Sequence, residues 1–107
     1  ISELHAGIDL QYSDKKLEKV APKFLSESDE KVFGTMPRIE RLTCIWAVKE
    51  AVFKVFGSGL PFRDIKIRNY DPVKDKVVVS VVKSGVSHQF TLTVLFINKL
   101  VLAYVLK

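Results

Sequence analysis

A long helical pattern in the middle of the chain constrains the fold more than any other feature. Pro37 suits the first turn of such a helix, and Gly57 suits a left-handed residue just past its end. The pattern predicts one helix over about residues 38–56. Its apolar side chains recur at spacings of three and four, mostly on one face: Ile39, Leu42, Ile45, Trp46, Val52, Phe53 and Phe56.

The segments outside this helix predict strands, and hence an α+β fold. Alternating apolar and polar residues predict an N-terminal strand over residues 3–12, with Asp9 and Gln11 on its polar face. An antiparallel meander is predicted after the helix, with strands over residues 64–69, 76–82, 88–97 and 100–106.

Two short helices are predicted between the first strand and the long helix. The first covers residues 15–20 and should stop at Pro22, because proline lacks an amide hydrogen. The second should open at a capping box formed by Ser26 and Asp29 and run toward Phe33.

Composition limits the class of protein. The length of 107 residues and the 48% of hydrophobic residues describe one globular domain, over residues 1–107. No apolar run is long enough to span a bilayer, so we expect no membrane association. Cys44, the single cysteine, lies in the apolar helical pattern, which predicts a buried thiol and a reducing, cytoplasmic location. The formal net charge of +5 suggests a polyanionic partner, such as nucleic acid, an acidic protein or a phosphorylated small molecule.

Two carboxylates inside otherwise apolar elements are the first candidates for chemistry. Asp9 lies in the predicted first strand and Glu50 in the long helix. Paired carboxylates suit Mg²⁺, and neighbouring lysines suit the phosphates that such an ion holds. Each acid also has an ordinary interpretation: Asp9 as a surface residue, and Glu50 as the partner of Lys54 in an i, i+4 pair worth about 0.3–0.5 kcal/mol. His5 and His88 are interpreted as ordinary strand histidines.

The order and spacing of several motifs resemble the 4′-phosphopantetheinyl transferase superfamily. The most specific motif is Trp46-x-x-Lys49-Glu50-Ala51-x-x-Lys54. The resemblance covers about residues 7–67, and the C-terminal strands agree only in general character. The other motifs, in chain order, are Gly7-Ile8-Asp9, Phe24-Leu25-Ser26, Gly57-x-Gly59 and Phe62-x-Asp64-Ile65.

The resemblance implies an enzyme that transfers phosphopantetheine from coenzyme A to a serine of an acyl or peptidyl carrier protein. It implies that Asp9 and Glu50 hold Mg²⁺, with Gln11 as a further candidate ligand. Lys54 would contact a coenzyme A phosphate, where it offsets charge that develops on the transferred group. Either Glu50 or a water held by the metal would take the proton of the serine.

The same resemblance assigns further residues to the coenzyme. Lys49 lies about 100° around the helix from Glu50, so we expect it on the rim of the site or on another phosphate of the nucleotide. Gly57 and Gly59 would let backbone amides approach the ligand closely.

The chain departs from the family pattern in two respects. Gln11 stands where two-repeat members usually carry glutamate. The match is also to the second half of such members, although the length is that of the smaller holo-acyl-carrier-protein synthases, which trimerise. We therefore expect a homo-oligomer or a missing N-terminal half to complete the cleft.

Two alternative functions stay open at this point. One is a non-catalytic relative that binds coenzyme A or a carrier protein without transferring anything. The other is a polyanion- or nucleic-acid-binding domain, which rests on the net charge of +5 alone. Because the chain has no basic run and no nucleic-acid-binding signature, we expect no nucleic acid as its partner.

Overall fold

In the residues that it describes, the computed structural model contains one N-terminal strand, three helices and an antiparallel meander, and this confirms the α+β prediction. It describes residues 6–12, 15–34, 36–56, 60–97 and 100–106. The elements are β1 (Ala6–Tyr12), α1 (Lys16–Phe24), α2 (Glu27–Val32), α3 (Arg38–Phe56), a 3₁₀ turn (Phe62–Asp64), β2 (Ile65–Asp71), β3 (Lys76–Lys83), β4 (Val86–Ile97) and β5 (Leu100–Leu106).

The strands in the described part of the chain form one antiparallel sheet of five, in the order β1-β5-β4-β3-β2. Alternate residues of β3 are buried beneath the helices, as the valine-rich sequence of this strand favours. Ser84 and Gly85 turn the chain between β3 and β4 with φ angles of 54° and 77°. A two-residue hairpin turn of type I′ needs this left-handed backbone at both positions, and glycine adopts it at little cost.

The long helix α3 has the predicted bounds, but it is buried on more than one side. The sheet covers one side through β1 and β5, while α1 and α2 cover another. The prediction of a mostly single apolar face is therefore wrong, because the helix lies between two layers instead of on the surface of one. Its buried residues are Leu42, Thr43, Cys44, Ile45, Ala47, Val48, Lys49, Ala51 and Val52.

Helix α1 continues through Pro22, so the prediction that proline stops it is wrong. A proline inside a helix removes one hydrogen bond and clashes with the preceding turn, at a cost of about 3 kcal/mol. The last turn is nevertheless held by Ala21 and Phe24, which are 3% and 1% exposed. Burial of these side chains against the core offsets the cost. The capping box at α2 is confirmed, since the Ser26 amide donates to Asp29 Oδ2 at 2.9 Å.

The register of β1, whose backbone alone is described, inverts the usual pattern of a surface strand. Asp9 lies opposite Ala103 of β5, and Gln11 lies opposite Val101. Directly opposed residues of an antiparallel pair share a face of the sheet, and Ala103 and Val101 are both buried. Positions 9 and 11 therefore belong to the face that α3 covers, and the apolar positions of β1 belong to the open face.

Candidate functional site

The two acids predicted to hold a metal lie on elements that pack together. Helix α3, which carries Glu50, contacts β1, which carries Asp9. Glu50 is half-buried, and position 9 is on the helix-covered face of the sheet. A shared ion requires that these two elements contact each other, and they do. The side chain of Asp9 lies outside the described part of the structure, so the distance between the two carboxylates stays a prediction.

The other predicted coenzyme residues lie toward the C-terminal end of α3. Lys54 is exposed in the last turn of the helix, one turn after Glu50, so the two side chains occupy neighbouring positions along the helix. Gly57 and Gly59 lie outside the described residues, and so does His5. Their predicted roles stay predictions.

Lys49 occupies a position that the sequence did not predict. Its side chain is 0% exposed, so the expectation that it lies on the rim of the site is wrong. The ammonium Nζ lies 2.6 Å from Asp29 Oδ2 and also donates to the carbonyl of Phe24. Burial of α3 on two sides explains the error, because a residue 100° away from Glu50 then points into α1 and α2 instead of into solvent.

Asp29 is the residue that sequence reasoning interpreted too narrowly, as a helix cap alone. Its side chain is also 0% exposed, and besides Lys49 it accepts the amide of Ser26 at 2.9 Å and the amide of Ile67 at 3.1 Å. Ile67 stands at a shift in the register between β2 and β3. One carboxylate thus joins α2, α3 and β2. The sequence did carry a signal for this pair. Lys49 follows the apolar residues Ala47 and Val48, and a lysine buried beside them needs an acidic partner.

Burial and mutual attraction act in opposite directions on this ion pair. Burial lowers the pKa of Lys49, and the hydrogen bond and negative charge of Asp29 raise it. The pair needs its additional hydrogen bonds, because removing two charges from water costs several kcal/mol per ion.

A second surface feature lies beside Trp46, one helical turn before Glu50 on α3. A cavity of about 370 Å³ is lined by Val20, Lys23, Phe24, Trp46 and Phe62, so its walls are largely apolar. The ring of Trp46 packs against Phe24 at 5.0 Å and against Phe62 at 5.1 Å between centroids.

Helix α1 borders this cavity with a row of positive charge. Lys16, Lys19 and Lys23 are exposed and recur at spacings of three and four, so they share one helical face. The sequence itself has no basic run. The fold therefore adds a local feature, an apolar cavity beside a basic helix face.

Cys44 and His88, the other two reactive residues considered from the sequence, belong to the core and to the sheet. Cys44 is buried, as predicted, and burial raises the pKa of its thiol. His88 packs edge-on against Phe56 at 5.2 Å, as expected for an ordinary strand histidine. Among the described side chains, no three histidine, cysteine, aspartate or glutamate residues lie together as a metal site.

Comparison with known proteins agrees with this geometry. The family model described as "4'-phosphopantetheinyl transferase superfamily" matches residues 6–105. The chain belongs to this superfamily. The matched range includes β1 and α3, the two elements that carry Asp9 and Glu50.

One solved structure resembles the chain over most of its length. The chain is similar to the crystal structure of Thermotoga maritima holo-[acyl-carrier-protein] synthase (AcpS), with a TM-score of 0.72 and 28% identity. The similarity covers 94% of this chain and 61% of the AcpS chain. A search of curated proteins found no match. No helix in the described residues combines the length and the apolar character that a membrane span requires. Membership of the superfamily supports a transferase.

Proposed function

We propose that this chain transfers 4′-phosphopantetheine from coenzyme A to a serine of an acyl or peptidyl carrier protein, in a reaction that requires Mg²⁺. The observation that carries the proposal is the packing of α3 on β1 inside a superfamily match over residues 6–105. This packing puts the two motif acids on facing elements. A non-catalytic relative would need no such pair.

In this proposal Asp9 and Glu50 hold Mg²⁺, with Gln11 as a further candidate ligand. Two carboxylates with phosphate oxygens and waters are a usual ligand set for this ion. The bound ion would neutralise the pyrophosphate of coenzyme A. Glu50 is half-buried, which reduces competition from water around its carboxylate.

The group transfer places specific demands on the remaining residues. The serine oxygen forms a bond to the phosphorus that carries pantetheine, and the bond between that phosphorus and the bridging oxygen breaks. The leaving group is adenosine 3′,5′-bisphosphate. We assign Lys54 to a coenzyme A phosphate, where its exposed ammonium stabilises developing negative charge. We assign Glu50 as the candidate acceptor of the serine proton.

We assign the carrier protein to the basic face of α1 and the apolar cavity beside it. Lys16, Lys19 and Lys23 provide positive charge, and the cavity at Trp46 and Phe62 accepts an apolar side chain. Such a surface suits an acidic partner with an exposed apolar residue, because charges steer the encounter and an apolar anchor holds the complex.

We also propose that a second copy of this chain, or an N-terminal half, completes the cleft. The open face of the sheet supports this, since Leu95 and Tyr104 remain partly exposed there and Ile97 is 52% exposed. An apolar surface of this kind is typical of a protein contact. The substrates and the buried thiol of Cys44 fit a cytoplasmic location.

Mass spectrometry of an apo carrier protein tests the transferase proposal. After incubation with the protein, coenzyme A and Mg²⁺, the carrier should gain one phosphopantetheine. Glu50→Gln should abolish the gain, while Glu40→Gln, an exposed acid on the same helix, should leave it unchanged. Thermal stabilisation by coenzyme A with no gain in carrier mass would favour the non-catalytic alternative.

A further inference from the structure

The buried ion pair between Lys49 and Asp29 connects the elements on both sides of the proposed site. Lys49 directly precedes Glu50 on α3, and its ammonium also holds the carbonyl of Phe24 at the end of α1. That carbonyl belongs to the last turn of α1, where backbone carbonyls have no amide donor within the helix. Asp29 in turn holds the start of α2 and the backbone of β2.

Stability alone gives a poor explanation of such a pair. Buried ion pairs add little net stability, and well-packed apolar side chains of similar volume often stabilise a protein as well or better. The pair differs from apolar packing in its directionality, because hydrogen bonds require particular angles whereas hydrophobic burial does not. Both side chains are 0% exposed, so water does not replace any of these contacts.

We propose that the Lys49–Asp29 pair is a positioning device, which fixes the rotation of α3 and thereby the direction of Glu50. The proposal rests on the transferase function. Glu50 lies about 100° around the helix from Lys49, and its carboxylate lies about 6 Å from the helix axis. A roll of about 10° would therefore move that carboxylate by about 1 Å. A displacement of this size lowers the rate of an enzyme by about 100-fold.

The pair also links the proposed carrier surface to the metal ligands. Through Phe24, Lys49 fixes the end of α1 beside the apolar cavity, while the neighbouring residue Glu50 belongs to the proposed metal site. The distance between a docked carrier and the reacting phosphate thus depends on the same ammonium. Lys49 acts through Glu50 and α1, and it is a positioning residue without substrate contact of its own.

The test compares two variants that both destabilise the fold. Lys49→Met removes the ammonium. Val79→Ala removes part of a fully buried side chain in β3, at the position opposite Ile67, and leaves both charges of the pair in place. Both should lower Tm, by amounts on the order of 10 °C. Assayed well below both transitions, Lys49→Met should lower kcat about 100-fold and change the KM for coenzyme A by less than about threefold. Val79→Ala should keep both parameters near their wild-type values.

A double variant keeps the test decisive if Lys49→Met does not fold. Asp29→Asn with Lys49→Met removes both charges and retains an amide oxygen for the backbone of Ile67. The double variant should recover stability, because no unpaired charge stays buried, and it should still show the low kcat. If kcat recovers together with Tm, or if Lys49→Met behaves like Val79→Ala, the positioning role is wrong.

A readout that is independent of turnover separates this inference from the proposed function. Hydrogen–deuterium exchange of residues 45–56 should be faster in Lys49→Met than in Val79→Ala, since only the first variant releases α3. Equal exchange would overturn the inference. Absence of transfer by the wild-type protein would instead overturn the proposed function and leave the exchange comparison valid.

Discussion

Two adjacent carboxylates of α2 should respond very differently to the same substitution. Asp29 is 0% exposed and paired with Lys49, whereas Glu30 is 32% exposed and accepts Arg38 at 2.7 Å. Asp29→Ala leaves a buried cation without its partner, which costs about 3–5 kcal/mol. Glu30→Ala breaks contacts at the surface, where ion pairs contribute about 0–1 kcal/mol. A domain of this size has a total stability of about 5–15 kcal/mol, so the first variant should lose a large share of it.

Urea unfolding measures this difference directly. Trp46 is the single tryptophan of the chain, and its fluorescence reports on the packing of α3 against Phe24 and the 3₁₀ turn. At pH 7 and 25 °C, Asp29→Ala should lose at least about 2 kcal/mol more than Glu30→Ala, and the m-values should stay similar. Equal losses in the two variants would refute the claim that burial determines the strength of the Asp29 interaction.

The pH dependence of Asp29→Ala gives a second check with a defined sign. Burial lowers the pKa of Lys49, and the variant removes the interactions that raise it again. The folded variant therefore binds fewer protons than the unfolded chain at pH values below the usual lysine pKa of 10.5. Its stability should rise with pH in this window, more steeply than that of the wild-type protein. A slope no steeper than that of the wild-type protein would contradict this reasoning.

The remaining predictions concern Cys44 and the basic face of α1. Burial raises the pKa of the Cys44 thiol above its usual value of 9.0. Above pH 9.0 the unfolded chain loses the thiol proton while the folded protein keeps it. The free energy of unfolding should therefore be unaffected by this thiol below pH 9.0 and fall above it by about 1.4 kcal/mol per pH unit. In Cys44→Ala, urea unfolding between pH 8 and 10.5 should show no such fall in the free energy of unfolding. The same fall with pH in the variant and the wild type would contradict the role of the thiol. Lys19→Glu with Lys23→Glu should raise the KM for the carrier about tenfold at low salt, because repulsion replaces electrostatic attraction. Lys74 is an exposed lysine in the β2–β3 turn, and Lys74→Glu should leave that KM unchanged. Equal changes in KM in the two variants would contradict the assignment of the carrier protein to α1.

The long helix was predictable because its signal is local. Spacings of three and four over five turns, with Pro37 and Gly57 as boundary residues, predicted bounds that agree with Arg38–Phe56. β5 was likewise predicted with its observed bounds, Leu100–Leu106. In both cases the sequence pattern and the tertiary environment favour the same structure.

The failures occur where tertiary contacts oppose a local rule. Pro22 stays inside α1 because Ala21 and Phe24 bury the turn that contains it. The position of Lys49 depended on whether α1 and α2 cover α3, and periodicity cannot reveal this. Its partner Asp29 is far away along the chain. The capping box with Ser26 already explained an acid at that position, so nothing in the local sequence indicated that Asp29 also pairs with a lysine.

The register of β1 departs from the usual pattern in a way that agrees with the proposed site. Alternation alone suggests that the polar positions of a strand face water. In this sheet positions 9 and 11 lie opposite buried residues, under the helix that carries Glu50. This arrangement makes a two-acid site possible and leaves apolar positions on the open face, where a second protein surface would cover them.

The central claim is that Asp9 and Glu50 share one metal ion, and a crystal structure with Mn²⁺ and coenzyme A tests it most directly. Mn²⁺ serves because its anomalous scattering locates the ion. We predict one anomalous peak in contact with an oxygen of each carboxylate, at about 2.1 Å, and with a phosphate oxygen of the coenzyme. Metal density that contacts only one of the two acids, or that lies elsewhere on the protein, would contradict the account.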